Sequence, residues 1–297
     1  MNDVPIDSAH QRWPWLRLLR PAQWVKNAFV LAPLLLTPKS LTLANAAHVG
    51  AGALCFCAVA SAVYIVNDAT DREADRLHPL KRRRPLAANQ LSVAAALALA
   101  ALLALAGLGA GAWLSPPFAM VLGGYLALSG AYSLGLKNIA ILDVMIIAIG
   151  FVLRVEAGGI LADIKLSVWL KLCSGLLALF LAIAKRRDDV IRKLGHDHRA
   201  SLGGYNRRFL DTAMTLVLGS LLVSYTTYTA DATVIARLGC ENLYITVPFV
   251  LAGCLRYLQI TVVEERSGAP TEIVRSDRFL ILTILGWIAT FGGLIYW

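Results

Sequence analysis

The sequence predicts an all-α integral membrane protein, about nine transmembrane helices in a single polytopic domain over residues 1–297, on three observations. Hydrophobic residues make up 58% of the chain and charged residues only 16%, against roughly 25% charged in an ordinary soluble domain; the mean hydropathy is +0.63. The apolar residues are strung into runs of the length a bilayer crossing requires, which a soluble enzyme does not do. Lys and Arg then collect in alternate loops, so the net charge of +9 reflects topology and no nucleic-acid partner is expected.

In order along the chain, a tail of about residues 1–20 carries Pro, Asp and scattered Arg where a secretory leader would need a continuous apolar stretch, so it is read as a short cytoplasmic tail that is kept. Spans are expected at 24–37, 47–66, 91–112, 117–134, 139–162, 167–184, 209–229, 242–262 and 279–297. The first is short, so to cross it must begin near Pro21, which draws Trp24, Lys26 and Asn27 into the membrane edge. Basic residues number four in the tail (Arg12, Arg17, Arg20, Lys26), six from Arg72 to Arg84, eight from Lys185 to Arg208 and three from Arg266 to Arg278. The intervening loops hold almost none. By the positive-inside rule these basic segments and the 132–138 turn are cytoplasmic, as for a multi-pass protein of a bacterial-type inner membrane, and nine crossings leave Trp297 outside. The cysteines (Cys55, Cys57, Cys173, Cys240, Cys254) show no metal-ligand spacing and read as buried thiols. Gly107, Gly109, Gly111, Gly158 and Gly159 lie within spans and read as close helix packing, not as a phosphate-binding loop.

The second span ends in Asn67-Asp68-Ala69-Thr70-Asp71-Arg72-Glu73-Ala74-Asp75. In a helix, Asn67, Asp68, Asp71 and Asp75 cluster on one face, where like charges repel. Four carboxylates in so short a stretch beside a membrane point to a cation, and hard oxygen donors select Mg2+, with Mn2+ admitted, over zinc. The plainer alternative is a solvated loop in which Arg72 and Arg76 pair locally. Ionisable groups inside spans are expensive. Asp143 near the start of the fifth span is read as ordering Lys137 or serving the metal site, while Arg154 and Glu156, deeper in the same span, are expected to be neutralised by each other or by neighbouring helices. His196-Asp197-His198 on a basic loop reads as solvated.

The Asn-Asp-x-x-Asp-x-x-x-Asp pattern resembles the first motif of the UbiA superfamily, membrane enzymes of nine helices that handle polyprenyl substrates and magnesium-bound diphosphates. Leu19-Arg20-Pro21-Ala22-Gln23-Trp24-Val25-Lys26-Asn27, His78-Pro79-Leu80-Lys81-Arg82-Arg83-Arg84-Pro85 and Tyr132-Ser133-Leu134-Gly135-Leu136-Lys137 with Asp143 following are similar to the polyprenyl-phosphate phosphoribosyltransferase branch. Aromatic prenyltransferases of the superfamily carry a second D-x-x-x-D after the sixth span. Here that loop reads Ala184-Lys185-Arg186-Arg187-Asp188-Asp189, then Ser201-Leu202-Gly203-Gly204-Tyr205, similar to the phosphoribosyl branch. Lys185 and Asp189 share a helical face, and cations there suit phosphate oxygens. The competing reading of this basic cluster is topology and contact with anionic headgroups, which is also open for Arg82, Arg83 and Arg84.

The resemblance implies a UbiA-type bundle with a cytoplasm-facing cavity. It implies Mg2+-dependent transfer of 5-phosphoribosyl from phosphoribosyl diphosphate (PRPP) to a polyprenyl phosphate, giving diphosphate and a polyprenylphosphoryl-5-phosphoribose, a cell-envelope arabinose precursor. Asp68, Asp71 and Asp75 would hold the metal, with Asn67 orienting the diphosphate. Lys26, Lys137, Lys185 and Arg186 would receive phosphate oxygens, while Tyr132 and Tyr205 would bond the sugar or its phosphate. Asn27, Lys81, Arg82, Asp143, Asp189 and Ser201 complete the expected substrate-binding set, and Asp68, Asp71 and Lys185 are the expected catalytic residues. The expected partners are PRPP, polyprenyl phosphate and membrane lipids, with a homo-oligomer left open. Two alternatives stand: a prenyltransferase joining a polyprenyl diphosphate to an aromatic acceptor, and a non-catalytic lipid-binding or transport protein.

Overall fold

Helices account for all the regular structure in the computed structural model, which describes residues 13–77, 81–192, 200–266 and 270–297. Arg12, His78, Pro79, Leu80, Lys193, Arg199 and the His196-Asp197-His198 triplet lie outside the described residues. Along the chain come α1 (Pro14–Leu19), a 3₁₀ helix (Pro21–Val30), α2 (Ala32–Leu35), α3 (Leu43–Thr70), α4 (Arg72–Leu77), α5 (Val93–Leu114) and α6 (Pro116–Leu134). They are followed by α7 (Leu142–Leu161), α8 (Val168–Ile191), α9 (Arg207–Ala230), α10 (Ala232–Leu238), α11 (Val247–Val262), α12 (Pro270–Ser276) and α13 (Arg278–Tyr296).

Eight of the described helices are long and apolar enough to cross a bilayer: α3, α5, α6, α7, α8, α9, the stretch Leu243–Val262 that ends in α11, and α13. The segment expected at 24–37 is not a ninth helix of this kind. It is divided between the 3₁₀ helix and α2, because Pro33 has no amide to continue a helix from upstream and instead occupies the first turn of a new one. Side chains supply the starts of the long helices: Ser92 accepts from the Ala95 amide at α5, Ser167 from Leu170 at α8, Asn206 from Phe209 at α9 and Asp277 from Leu280 at α13. At about 1.5 Å per residue the 28 residues of α3 span roughly 42 Å, more than the ~30 Å of hydrocarbon. Its polar end, Asn67 and Asp68, can thus stand at the membrane rim.

The chain divides into two compact units: residues up to Ala28 with Leu54–Leu134, and Phe29–Ala53 with Gly135–Trp297. The first unit packs Leu18 of α1 with Ala62 and Ile65 of α3, Leu86, and Ala96 and Ala100 of α5. Gly107 of α5 meets Val59 and Cys55 of α3, and Gly111 meets Phe118 of α6, so these two glycines serve the close packing expected of them; an added Cβ on Gly109 would meet open space. In the second unit Phe180, Ala184, Leu210, Met214, Leu221, Tyr257 and Leu280 form one cluster of α8, α9, α11 and α13. A Cβ on Gly158 of α7 would fall 1.9 Å from the Val30 carbonyl oxygen, so only glycine lets that backbone approach. The five cysteines are free thiols; Cys55, Cys57 and Cys240 are buried as expected, while Cys173 and Cys254 are half-buried. Glu156 is neutralised by a neighbouring helix, pairing with Lys171 of α8 at 3.3 Å. Arg154 donates to the Gly150 carbonyl and lies over the Phe151 ring.

Candidate active site

In the first unit the helical repeat carries through the turn that separates α3 from α4, since the Asp71 amide bonds the Asn67 carbonyl at 2.9 Å and the Asp75 amide bonds the Asp71 carbonyl at 2.8 Å. Asp68 and Asp75, two turns apart, therefore share a face, and both are 2% exposed. One nitrogen joins them: Arg84 Nη1 lies 3.0 Å from Asp68 Oδ1 and 2.6 Å from Asp75 Oδ2. Arg20 also donates to Asp68, and Lys81 Nζ stands 4.0 Å from Asp75. Buried carboxylates require such partners. Asp71, half-buried, accepts from Asn67 Nδ2 at 3.0 Å.

The neighbouring arginines do different work. Arg72 donates to the Leu86 carbonyl and to Asn89, and Arg76 donates to Glu73, to the Ala87 carbonyl and to Asn89. They staple the 86–89 turn to α4, which brings Arg84 back over the acidic face. Arg82 is exposed. Asn27 is buried and donates to Cys57 at 3.2 Å; Lys26 beside it is half-buried. Tyr132, near the end of α6, is half-buried. Among the described residues no three His, Cys, Asp or Glu side chains converge as a metal cage. Two hard-oxygen carboxylates bracketing a single positive nitrogen do match what Mg2+ takes from a protein when phosphates supply its other ligands. The donor set of Asp68 and Asp75, with Asp71 one turn away, thus fits the ion.

In the second unit Asp143, wholly buried in the first turn of α7, is a hub. Its Oδ2 accepts from Arg186 Nε at 2.8 Å and Ser201 Oγ at 3.1 Å, and its Oδ1 from the Tyr205 hydroxyl at 2.6 Å. Arg186 also reaches Asp189 at 2.6 Å. Burial, and then the Asp143 carboxylate, push the Tyr205 phenol well above its ordinary range, so it remains a proton donor. Its oxygen in turn accepts from the Ile141 amide at 2.5 Å. Ile141 sits at φ 70°, a positive value that is costly for a β-branched residue. Gly204 is needed nearby, because a Cβ there would lie 2.4 Å from Ala140 Cβ.

Consecutive arginines on α8 point apart. Arg187, wholly buried, donates to Asp211 of α9 and to the Thr261 carbonyl of α11 at 2.6 Å, anchoring the helix that presents Arg186. Asp188 pairs with Arg192 at 2.8 Å. Lys185 is exposed, and Lys137 is half-buried in a 3₁₀ turn, Leu136–Asn138. The structure thus gathers Asp143, Arg186, Asp189, Ser201 and Tyr205 in one cluster and Asp68 and Asp75 in another. Sequence reasoning passed over Arg20, Arg84, Ile141 and Gly204. The first two stand beside prolines in the quoted motifs; nothing in the sequence marks Ile141.

A family model, the UbiA prenyltransferase family, matches residues 28–283. The chain is 37% identical over 294 residues to a decaprenyl-phosphate phosphoribosyltransferase of Mycolicibacterium smegmatis, covering 95% of this chain and 92% of that one. The enzyme of the same name from Corynebacterium glutamicum is 37% identical over 280 residues, 92% and 84% of the two chains. The fold is similar to a UbiA homolog from Archaeoglobus fulgidus solved with GPP and Mg2+, with a TM-score of 0.73, 20% identity and coverage of 96% and 100%. With most of its length matched by the family model, this chain belongs to the UbiA prenyltransferase family of membrane transferases.

Proposed function

We propose that the protein transfers 5-phosphoribosyl from PRPP to a polyprenyl phosphate at the cytoplasmic face of a bacterial inner membrane, with Mg2+. The observation that carries this reading is the Asp143 hub, whose carboxylate is committed to an arginine and two hydroxyls. That cluster holds the Arg186 cation in place for phosphate oxygens. It supplies no second D-x-x-x-D clamp, since Asp188 and Asp189 are adjacent and the residues four beyond them are Arg192 and Lys193. The names of the relatives support the same reading.

The lipid phosphate is anionic near neutral pH and needs no strong base. One of its oxygens forms the bond to the anomeric carbon of the ribose as the bond from that carbon to diphosphate breaks, inverting the centre, and the electron pair leaves with diphosphate. Asp68 and Asp75, with Asp71, would hold Mg2+, which supplies charge neutralisation to the departing diphosphate. Asn67 keeps Asp71 oriented. Arg186, fixed by Asp143 and Asp189, holds phosphate oxygens; Tyr205 and Ser201, whose hydroxyl protons go to Asp143, fix the loop against α7 beside the bound sugar phosphate. Lys185, Lys137, Lys26, Tyr132, Lys81, Arg82 and Asn27 complete the proposed set of substrate contacts. Positioning and charge stabilisation are the whole of the protein's task here.

The test is incubation of purified protein with Mg2+, polyprenyl phosphate and radiolabelled PRPP, beside a tube holding polyprenyl diphosphate and 4-hydroxybenzoate. Labelled lipid in the first tube only, lost with EDTA and in Asp68→Asn, is the expected result. Product in the second tube alone would replace the reading by aromatic prenylation.

A further inference from the structure

A second feature of the first unit is a cavity of ≈ 240 Å³ beside the acidic face, lined by Arg17, Arg20, Lys81, Arg83, Arg84 and Asp68. Its lining sets five cations against a single carboxylate. Such an excess favours an anion with several oxygens, because guanidinium groups present paired donors that match phosphate. The volume is that of several waters at about 30 Å³ each, sufficient for one phosphate group. The wall is organised, since Arg17 donates to the Arg83 carbonyl at 2.5 Å and Arg20 and Arg84 are both held by Asp68.

The source of that phosphate is indicated by α1. Leu18 is wholly buried against α3, while Trp13, Trp15 and Leu16 on the same short segment are 74%, 44% and 52% exposed. Exposed tryptophans flanking a buried leucine, with arginines alongside, are the pattern of a segment lying at headgroup depth. Arg17 and Arg20, on or next to that segment, line the cavity, within reach of a phosphate carried at headgroup depth. We infer that this cavity binds the phosphate monoester headgroup of the polyprenyl acceptor, with Arg17, Arg20, Arg83 and Arg84 as its ligands. This assignment rests on the phosphoribosyl-transfer reading for the identity of the lipid.

Arg20 and Arg84 then have two sets of partners. Both now neutralise Asp68, and Arg84 also neutralises Asp75. An arriving phosphate offers them oxygens with equal charge complementarity, so the same two side chains tie the acceptor's position to the acidic face.

The test is direct binding, which needs no PRPP. Protein in phosphatidylcholine nanodiscs is titrated with tritiated polyprenyl phosphate, with polyprenol as the uncharged control and inorganic phosphate as competitor. Wild type should retain the phosphate and not the alcohol, with inorganic phosphate a poor competitor. Arg17→Gln and Arg83→Gln should each weaken binding about tenfold, as loss of a charge-assisted hydrogen bond does, while Arg17→Lys should lose less. In turnover the KM for polyprenyl phosphate should rise and that for PRPP should not. Arg83 is exposed, so its variant checks the inference even if Arg17→Gln fails to fold. Unchanged binding in Arg83→Gln, equal retention of polyprenol, or inorganic phosphate displacing the lipid at matched concentration would overturn the assignment. Lipid-phosphate binding that is lost in the variants, in a protein that transfers no phosphoribosyl, would leave this site standing and remove the transfer reading.

Discussion

Arg186 and Asp143 are 3% and 0% exposed, so each is the other's condition for being charged where it is. Removing one partner of a buried pair typically costs about 3–5 kcal/mol because the other is left uncompensated. Arg186→Ala should therefore lower the thermal unfolding temperature more than Arg186→Ala with Asp143→Ala together, and a double-mutant cycle measures the difference; a loss in the double variant equal to the sum of the two single losses would show the pair to be uncoupled. The resemblance pointed to Asp143, Arg186, Ser201 and Tyr205 but not to what they do for each other, because their meeting depends on three elements far apart in sequence. Arg84 was harder to read. In a run of Lys81-Arg82-Arg83-Arg84 the residue that turns inward is chosen by the fold of the 86–89 turn, which depends on Arg72 and Arg76, and its place beside Pro85 is the one local mark it carries.

Helices were largely legible because their caps and apolar lengths are local properties: Ser92, Ser167, Asn206 and Asp277 begin α5, α8, α9 and α13 through hydrogen bonds to nearby amides. The break at Pro33 was also written locally, yet hydropathy alone ran through it. At the 3₁₀ helix Ala200–Gly204, the approach of Gly204 to Ala140 sets the element's position. Gly204→Ala should cost about 1–3 kcal/mol as an overpacked contact and lower kcat through displacement of Tyr205; a variant with wild-type melting and turnover would show the contact to be yielding. Asp231 begins α10 and also accepts from Trp169 of α8 at 3.0 Å. Hydrogen bonds from Thr233 first, then Trp169 and the Val234 amide, hold its pKa down to about 2. A depressed carboxylate adds stability that is full above its unfolded pKa of about 3.9 and fades as pH falls through the folded value. The melting-temperature gap between wild type and Asp231→Ala should accordingly shrink from pH 5 toward pH 2; a gap constant over that window would mean the charge is not what stabilises the cap.

For the whole molecule, the membrane class followed from composition, and the family match over residues 28–283 agrees with motifs spread along the chain. What composition cannot convey is the division of chemistry. The first unit gathers carboxylates and arginines around one acidic face, and the second builds a cation-and-hydroxyl cluster on a buried aspartate. The proposed transfer between two phosphorylated substrates draws on both kinds of surface. The central claim is that the lipid phosphate is the nucleophile at the ribose carbon, and it is tested most directly by following its oxygens. Polyprenyl phosphate carrying isotopically heavy oxygen at its non-bridging positions, incubated with PRPP, Mg2+ and the purified protein, should yield a phosphoribosyl lipid whose mass shows every heavy oxygen retained. A product that has lost one would place bond formation at phosphorus instead, and no phosphoribosyl lipid at all would contradict the account outright.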